Sequence, residues 1–225
     1  MQLGDVIHNG DYRIEAIAGE GSFATVYRAV HLKLNVVRAV KALRPEAYEV
    51  NDKIFSDYRQ RFKTEFQIAA SLDHPNVIKV YDLGEDEGRP YAILEYALGG
   101  SVSDQIKKQG PLPIDRAVQI LLDCVAGLGA LHERLSLVHR DVKPSNILLD
   151  NQLHAKIADL GLAQVGGGQS SMRSELGSKA VEHPGTPAYC SPEHHSWEPL
   201  SPTSDVFSLG CVMFEMLTGQ VWKDV

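Results

Sequence analysis

Residues 138–149, VHRDVKPSNILL, set five polar or charged groups (His139, Arg140, Asp141, Lys143 and Asn146) between the apolar runs LSLV and ILL. Asp141 and Asn146 are five residues apart, and a further carboxylate, Asp159, follows in KIADLGLA. Carboxylate and carboxamide oxygens are hard ligands of the kind that hold Mg²⁺ together with substrate phosphates. A nearby carboxylate outside that task can accept the proton of an attacking hydroxyl. Phosphoryl transfer asks a protein mainly for positioning and charge neutralisation, so metal ligands, one base and a lysine form an adequate set.

A lysine is available upstream. Lys41 lies in RAVKAL, flanked by Ala39, Val40, Ala42 and Leu43. A lone lysine in a strand is ordinarily a solvated side chain. Glu65, however, sits among Phe62, Phe66 and Ala69 close to the apolar face of a helical run, and two half-buried opposite charges offset each other's desolvation as an ion pair. Gly19-Glu-Gly21-Ser-Phe-Ala24-Thr-Val26 lies between two strand-like runs. Glycines there let the backbone turn sharply and bring N–H groups close to a phosphate. A plain hairpin turn would use the same glycines. No Walker-type GxxxxGK[ST] occurs, and a dinucleotide site needs a helix where a strand follows here.

The elements that must position these groups follow from periodicity. YRIEAIA, ATVYRAV and VVRAVKAL alternate in short β-branched runs separated by Gly19, Gly21 and a turn around Leu32 to Asn35, which predicts antiparallel strands over 12–43. Residues 58–72 carry Phe62, Phe66, Ala69 and Ala70 at helical spacing, and the strands VIKVYDL and YAILEYA follow, joined by the turn GEDEGRP. After Gly99-Gly100 the character changes to an apolar helix over 114–133, entered past Pro111 and Pro113. Short strands are expected at 147–149 and 155–158, a Gly/Ser-rich loop at 165–185, and a strongly apolar helix near 204–218. A β-rich lobe and a helical lobe result, with a hinge near 95–100.

Composition sets the outer bounds. The 225 residues, 44% hydrophobic and 23% charged, suit a soluble globular domain. A net charge of −7 offers no global attraction to nucleic acid or anionic lipid. Cys124, Cys190 and Cys211 are too few and too scattered for a disulfide framework, which fits a reducing cytoplasm. The polar N-terminus lacks the core of a secretory signal, and no apolar run of 18 residues occurs. Cys190 with His194 and His195 has loose metal-ligand spacing, but no second pair supports it.

Taken in order, GEGSFATV, RAVKAL, TEFQIAASLDHPNVI, HRDVKPSN, DLG, GTPAYCSPE and SDVFSLG resemble the successive elements of a eukaryotic-type protein kinase domain, closest in style to bacterial serine/threonine kinases. The resemblance implies an α+β, two-lobed fold, with an N-lobe at 12–97 and a C-lobe at 98–225. It implies ATP as cofactor with Mg²⁺ (or Mn²⁺), protein substrates, a cytoplasmic setting and no nucleic-acid partner. Carried over residue by residue, Lys41 would hold the α- and β-phosphates and pair with Glu65. Asp141 would be the base, Asn146 and Asp159 the metal ligands, and Lys143 the lysine beside the transferred phosphate. Thr186 in GTPAY would contact Asp141 and Lys143, which marks serine/threonine specificity. Ala18, Gly19, Glu20, Gly21, Ser22, Val26, Ala39, Glu95, Ala97 and Leu148 would complete the nucleotide site, with Leu94 as gatekeeper.

Several positions depart from the family pattern. Ala24 stands for the third glycine of the loop and Leu160 for the phenylalanine of DFG. The family domain continues past LTG, whereas this chain ends in GQVWKDV, so an incomplete C-lobe is expected. Glu193 would then lack its usual arginine, and an uncovered apolar helix would favour self-association. Ser170, Ser171, Ser174, Ser178 and Thr186 are candidate autophosphorylation sites, because Arg140 before the base suits a phosphate-pairing cluster. The rival readings are a pseudokinase scaffold, a small-molecule kinase and a nucleotide-binding fragment without turnover. The first usually lacks one of Lys41, Asp141, Asn146 or Asp159, all present here.

Overall fold

β-Branched alternation in the first hundred residues produces an antiparallel sheet. In the computed structural model, which describes residues 1–21, 24–44, 52–159, 164–165 and 186–222, six strands lie in the order β1-β2-β3-β4-β6-β5. They are β1 (Val6–Ile7), β2 (Tyr12–Glu20), β3 (Ala24–His31), β4 (Val36–Leu43), β5 (Val80–Asp86) and β6 (Arg89–Glu95). Helix α1 (Asp52–Ala70) packs against β5 and β6. Side chains opposite one another across the strands share a face. One face collects Ile14, Ala29, Val40, Ala42, Tyr91 and Ile93 into a core closed by Ile7 and Tyr12. Burial of Ile14, Val40 and Ile93 there contributes roughly 1.5–3 kcal/mol each.

Two details of this sheet depart from the expected bounds. Strand β5 begins at Val80 rather than at Val77, because Val77 bridges Ile157 instead. The hairpin also pairs down to Asp86 and Arg89, leaving a two-residue turn, Glu87-Gly88, at φ 47° and 78°. Positive φ at both central residues suits the twist of antiparallel strands.

The helical part contains α2 (Val102–Gln109), α3 (Ile114–Leu135), α4 (Pro192–His195) and α5 (Pro202–Thr218). It also holds the short pairs β7 (Leu137–Val138) with β10 (Gln164–Val165), and β8 (Ile147–Leu149) with β9 (Ala155–Ile157). Helix α3 is longer than expected by two residues, and α1 begins six residues earlier. Helix α2 was not anticipated. It begins at a capping box in which Ser101 and Asp104 satisfy each other's backbone N–H groups.

The chain divides into two compact units. Met1–Asp73 with Ile78–Tyr96 form the first, and Ala97–Val225 with the short segment His74–Val77 form the second. That segment joins the second unit through specific bonds. Asn76 accepts from the Ile157 N–H at 2.8 Å and donates its side-chain amide to Ala155 O at 2.9 Å. Gly127 of α3 allows the approach, since a Cβ there would stand 2.4 Å from Asn76 O.

Candidate active site

In the first unit, strand register places the upstream candidates. Val26, Lys41 and Ala92 are opposite one another across β3, β4 and β6, and Ala39 is opposite Leu94. All five therefore share the face turned away from the tyrosine-lined core. Lys41 is half-buried on that face, its Nζ 5.9 Å from the centre of the Phe66 ring. Phe66 is buried on α1 with Phe62, their rings 4.6 Å apart, and Glu65 is its half-buried neighbour.

Gly19 pairs with Val26 within the β2–β3 ladder, and Gly21 N–H closes a turn on Ala24 O at 2.9 Å. Neither glycine has positive φ, and a Cβ on Gly19 would meet nothing within 4 Å among the described residues. The backbone alone does not demand glycine at position 19. Ala18 and Glu20 are exposed alongside it on β2. Glu95 closes the β6 end, its N–H on Lys79 O at 2.9 Å and its carboxylate accepting from Lys79 N–H. Ser22 and Leu160 lie outside the described residues, as do Ser170, Ser171, Ser174 and Ser178.

The second unit brings four of the predicted residues into direct contact. The Asn146 amide donates to Asp141 twice, to its backbone oxygen at 2.9 Å and its Oδ2 at 3.0 Å. Lys143 Nζ meets Asp141 Oδ2 at 2.7 Å and Thr186 Oγ1 at 2.9 Å. Thr186 in turn donates its N–H (3.2 Å) and its hydroxyl (3.3 Å) to Asp141 Oδ1. Asp141 and Asn146 are both buried at 8% exposure.

The β8–β9 hairpin supplies the fifth residue. Ala158 N–H bonds to Asn146 O at 2.8 Å, so Asp159 follows one residue beyond Asn146's partner, exposed and with φ 64°. A non-glycine residue held at positive φ implies that its surroundings dictate its direction. Leu148 pairs with Lys156 in the same hairpin and bridges Ser101, while Ala97 is half-buried just ahead of α2.

Asp205, which the sequence reading left without a role, is the anchor beneath this loop. It is fully buried at the start of α5 and accepts N–H bonds from His139 and Arg140, each at 2.8 Å. His132 of α3 reaches the same carboxylate at 2.8 Å. Bonds to an ionised acceptor are stronger than neutral ones, and these hold Arg140 at φ 72°. His139 is also fully buried. Its Nδ1 accepts the Asp141 N–H at 3.3 Å, which leaves the ring proton on Nε2 to donate to Ala158 O at 2.9 Å. The loop carrying Asp141 is thus tied at once to α5 and to the strand leading into Asp159.

Helix α5 also fixes the segment bearing Thr186. Ser208 donates to Tyr189 O at 2.7 Å, and the Tyr189 hydroxyl donates to Glu215 at 2.5 Å. Burial, reinforced by that carboxylate, pushes the Tyr189 phenol well above its ordinary range. Ser204, Ser208 and Glu215 recur at helical spacing, so one side of α5 reaches both Glu193 and Tyr189. Glu193 accepts from Ser204 Oγ at 2.6 Å, and that hydroxyl holds its carboxyl below the usual value. Cys190, beside the site, is buried, and its thiol is pushed up to about 11 by that burial.

Residues 12–224 match the protein kinase domain family. The chain belongs to that family. It is 35% identical over 217 residues to serine/threonine-protein kinase PrkC of Bacillus subtilis, covering 95% of this chain and 31% of that protein. It is 35% identical over 213 residues to serine/threonine-protein kinase PknB of Mycobacterium leprae, covering 93% and 32%. The PknB of Mycobacterium tuberculosis gives 36% over 213 residues with the same coverage. The chain spans about a third of the length of these curated relatives.

As a protein kinase domain it shows the expected α+β character, an antiparallel sheet followed by a helical unit. Among the described residues no helix is long and apolar enough to cross a membrane. The donor set also fits a divalent cation. The Asn146 bonds to Asp141 both leave from its amide nitrogen, which leaves the carboxamide oxygen for a metal. Asp159 supplies a second oxygen donor one residue beyond Ala158, whose N–H bonds to Asn146 O.

Proposed function

We propose that this chain is the catalytic domain of a serine/threonine protein kinase, transferring the γ-phosphate of ATP to serine or threonine hydroxyls of proteins. The observation that carries the reading is Thr186 bound to both Asp141 and Lys143, which joins the segment after the loop to the groups proposed for chemistry.

In this reading Asp141 receives the substrate hydroxyl and takes its proton as the oxygen attacks phosphorus. Lys143 lies beside the phosphoryl group in transit and neutralises its charge. Asn146 and Asp159 hold Mg²⁺, with Mn²⁺ as a substitute, and the cation supplies charge neutralisation to the phosphates when bound. Lys41, with Glu65 as its orienting partner, takes the α- and β-phosphates. Gly19 and its neighbours Ala18, Glu20, Gly21 and Ser22 cover the phosphates. Val26, Ala39, Glu95, Ala97 and Leu148 receive the adenosine. A cytoplasmic setting and autophosphorylation at Thr186 or the serines 170, 171, 174 and 178 belong to the same proposal. So does self-association through the exposed Val206 and Phe207 of α5.

Phosphate transfer from labelled ATP to casein tests it, with Asp141→Asn and Lys41→Met as controls. Transfer by wild type that falls at least about a hundredfold in Asp141→Asn is expected. Equal transfer by the two would overturn the assignment of Asp141. MgATP binding with no transfer by wild type would overturn the activity and leave a nucleotide-binding domain.

A further inference from the structure

Helix α1 is attached to its sheet in two chemically different ways. Its apolar stripe, Phe62, Phe66 and Ala69, is buried at 4–6% exposure. Beside that stripe, two cations one turn apart converge on a single carboxylate of β5. Arg59 Nη2 donates to Glu85 Oε1 at 2.5 Å, and Lys63 Nζ donates to Glu85 Oε2 at 2.7 Å.

The two attachments constrain different motions. An apolar stripe resists lifting, but as a non-directional contact it resists rolling poorly. At about 100° per residue, Arg59 and Lys63 lie about 70° to one side of the stripe's midline, and Glu65 lies about 70° to the other. Whatever lets the Arg59–Lys63 flank rise therefore turns the Glu65 flank about the aromatic pivot. That pivot includes Phe66, whose ring centre lies 5.9 Å from the Lys41 ammonium.

We propose that Glu85 is a positioning residue for the transfer reaction, setting the roll of α1 and hence the approach of Glu65 to the lysine strand. The proposal rests on the kinase reading given above. Two oxygens bound by two cations one turn apart fix both the axial position and the rotation of the helix, which one ion pair would leave loose. The arginine and then the lysine hold the Glu85 carboxyl down at about 2, so it is ionised at neutral pH. All three side chains remain about one-third exposed, at 34–37%, so the clamp adds little to global stability while restraining how the helix sits on the sheet.

The test uses purified chain with MgATP and casein, alongside hydrogen exchange of the α1 amides. Glu85→Gln is expected to lower kcat/KM about fivefold, to raise KM for ATP, and to speed exchange over 59–66 with the urea midpoint nearly unchanged. Glu85→Lys is expected to lower kcat/KM further. Combining it with Arg59→Glu and Lys63→Glu rebuilds the clamp with reversed charge and is expected to recover transfer to within about twofold of wild type. Unchanged kcat/KM and unchanged α1 exchange in Glu85→Gln would overturn the proposal, as would failure of the folded triple variant to recover. If wild type transfers no phosphate, the kinase reading fails. The exchange measurement still decides the clamp, because unchanged α1 exchange in Glu85→Gln would then reject it.

Discussion

Thr186 meets Asp141 through two bonds to one oxygen, its N–H at 3.2 Å and its hydroxyl at 3.3 Å from Oδ1, while Lys143 donates to that hydroxyl at 2.9 Å. A hydroxyl that donates to a carboxylate and accepts from an ammonium is used in both of its capacities. Residues 45 positions apart are thereby fixed in one geometry before any substrate arrives. Removing the hydroxyl leaves a partly buried ammonium and carboxylate each one partner short. Thr186→Ala is expected to lower kcat for casein by about tenfold or more, and Thr186→Ser to keep most of it. Steady-state phosphate transfer distinguishes the two variants.

Asp205 governs the same site from beneath. Its buried carboxylate satisfies two consecutive backbone N–H groups and the His132 ring. Asp205→Ala would strand those donors in the interior, at a cost of about 3–5 kcal/mol. Asp205→Asn keeps the shape but sets an amide donor against them, and a smaller loss of roughly 2 kcal/mol is expected. Urea unfolding of both variants reads the difference. Near-wild-type midpoints would show that the loop does not depend on Asp205.

How far the sequence reached can be judged from such residues. Asp141, Lys143 and Asn146 were legible because they fall within six residues of one loop, where spacing nearly determines contact. Strands β2 to β4 were legible because each alternates over eight or nine residues. Asp205 was not, because its role is set by α5 packing against a loop some 65 residues earlier. An aspartate heading an apolar helix was the available hint. Helix α2 escaped because only Val102 and Ile106 are buried in it, too few for a period, although S-x-x-D before them is a helix-start signature. Strand β5 was placed three residues early because Val77 and Ile78 look like strand residues. Nothing local reveals that Val77 pairs with Ile157.

The docking of residues 74–77 onto α3 makes opposite predictions for two glycines of that helix. A Cβ on Gly127 would lie 2.4 Å from Asn76 O and 3.1 Å from Ile157 Cγ1, whereas one on Gly129 meets nothing within 4 Å among the described residues. Gly127→Ala is expected to destabilise by about 1–3 kcal/mol through overpacking against backbone. Gly129→Ala is expected to stabilise by about 0.5–1 kcal/mol through helix propensity. Thermal unfolding of the pair gives shifts of opposite sign, and a shared sign would refute the close approach at Asn76.

The capping box of α2 gives the domain an acid-sensitive element. Asp104 accepts from the Ser101 hydroxyl at 2.7 Å and the Ser101 N–H at 2.9 Å, and these bonds, the hydroxyl foremost, hold its carboxyl below the ordinary value of 3.8. A carboxyl whose folded value lies below its unfolded one contributes stability that is fully present above the unfolded value. That contribution is lost as pH falls through the folded value. Asp104→Asn is therefore expected to be less stable than wild type near neutrality, with the gap closing as pH falls below about 4. Ser101→Ala removes the other half of the box and is expected to cost about 1 kcal/mol at neutral pH. Ser101 also bridges Leu148 on the strand that follows Asn146, so the loss should extend beyond α2 itself. Urea midpoints of wild type and Asp104→Asn, measured across about pH 3 to 7, should converge only at the acid end, and a constant gap would show that the carboxylate charge plays no part.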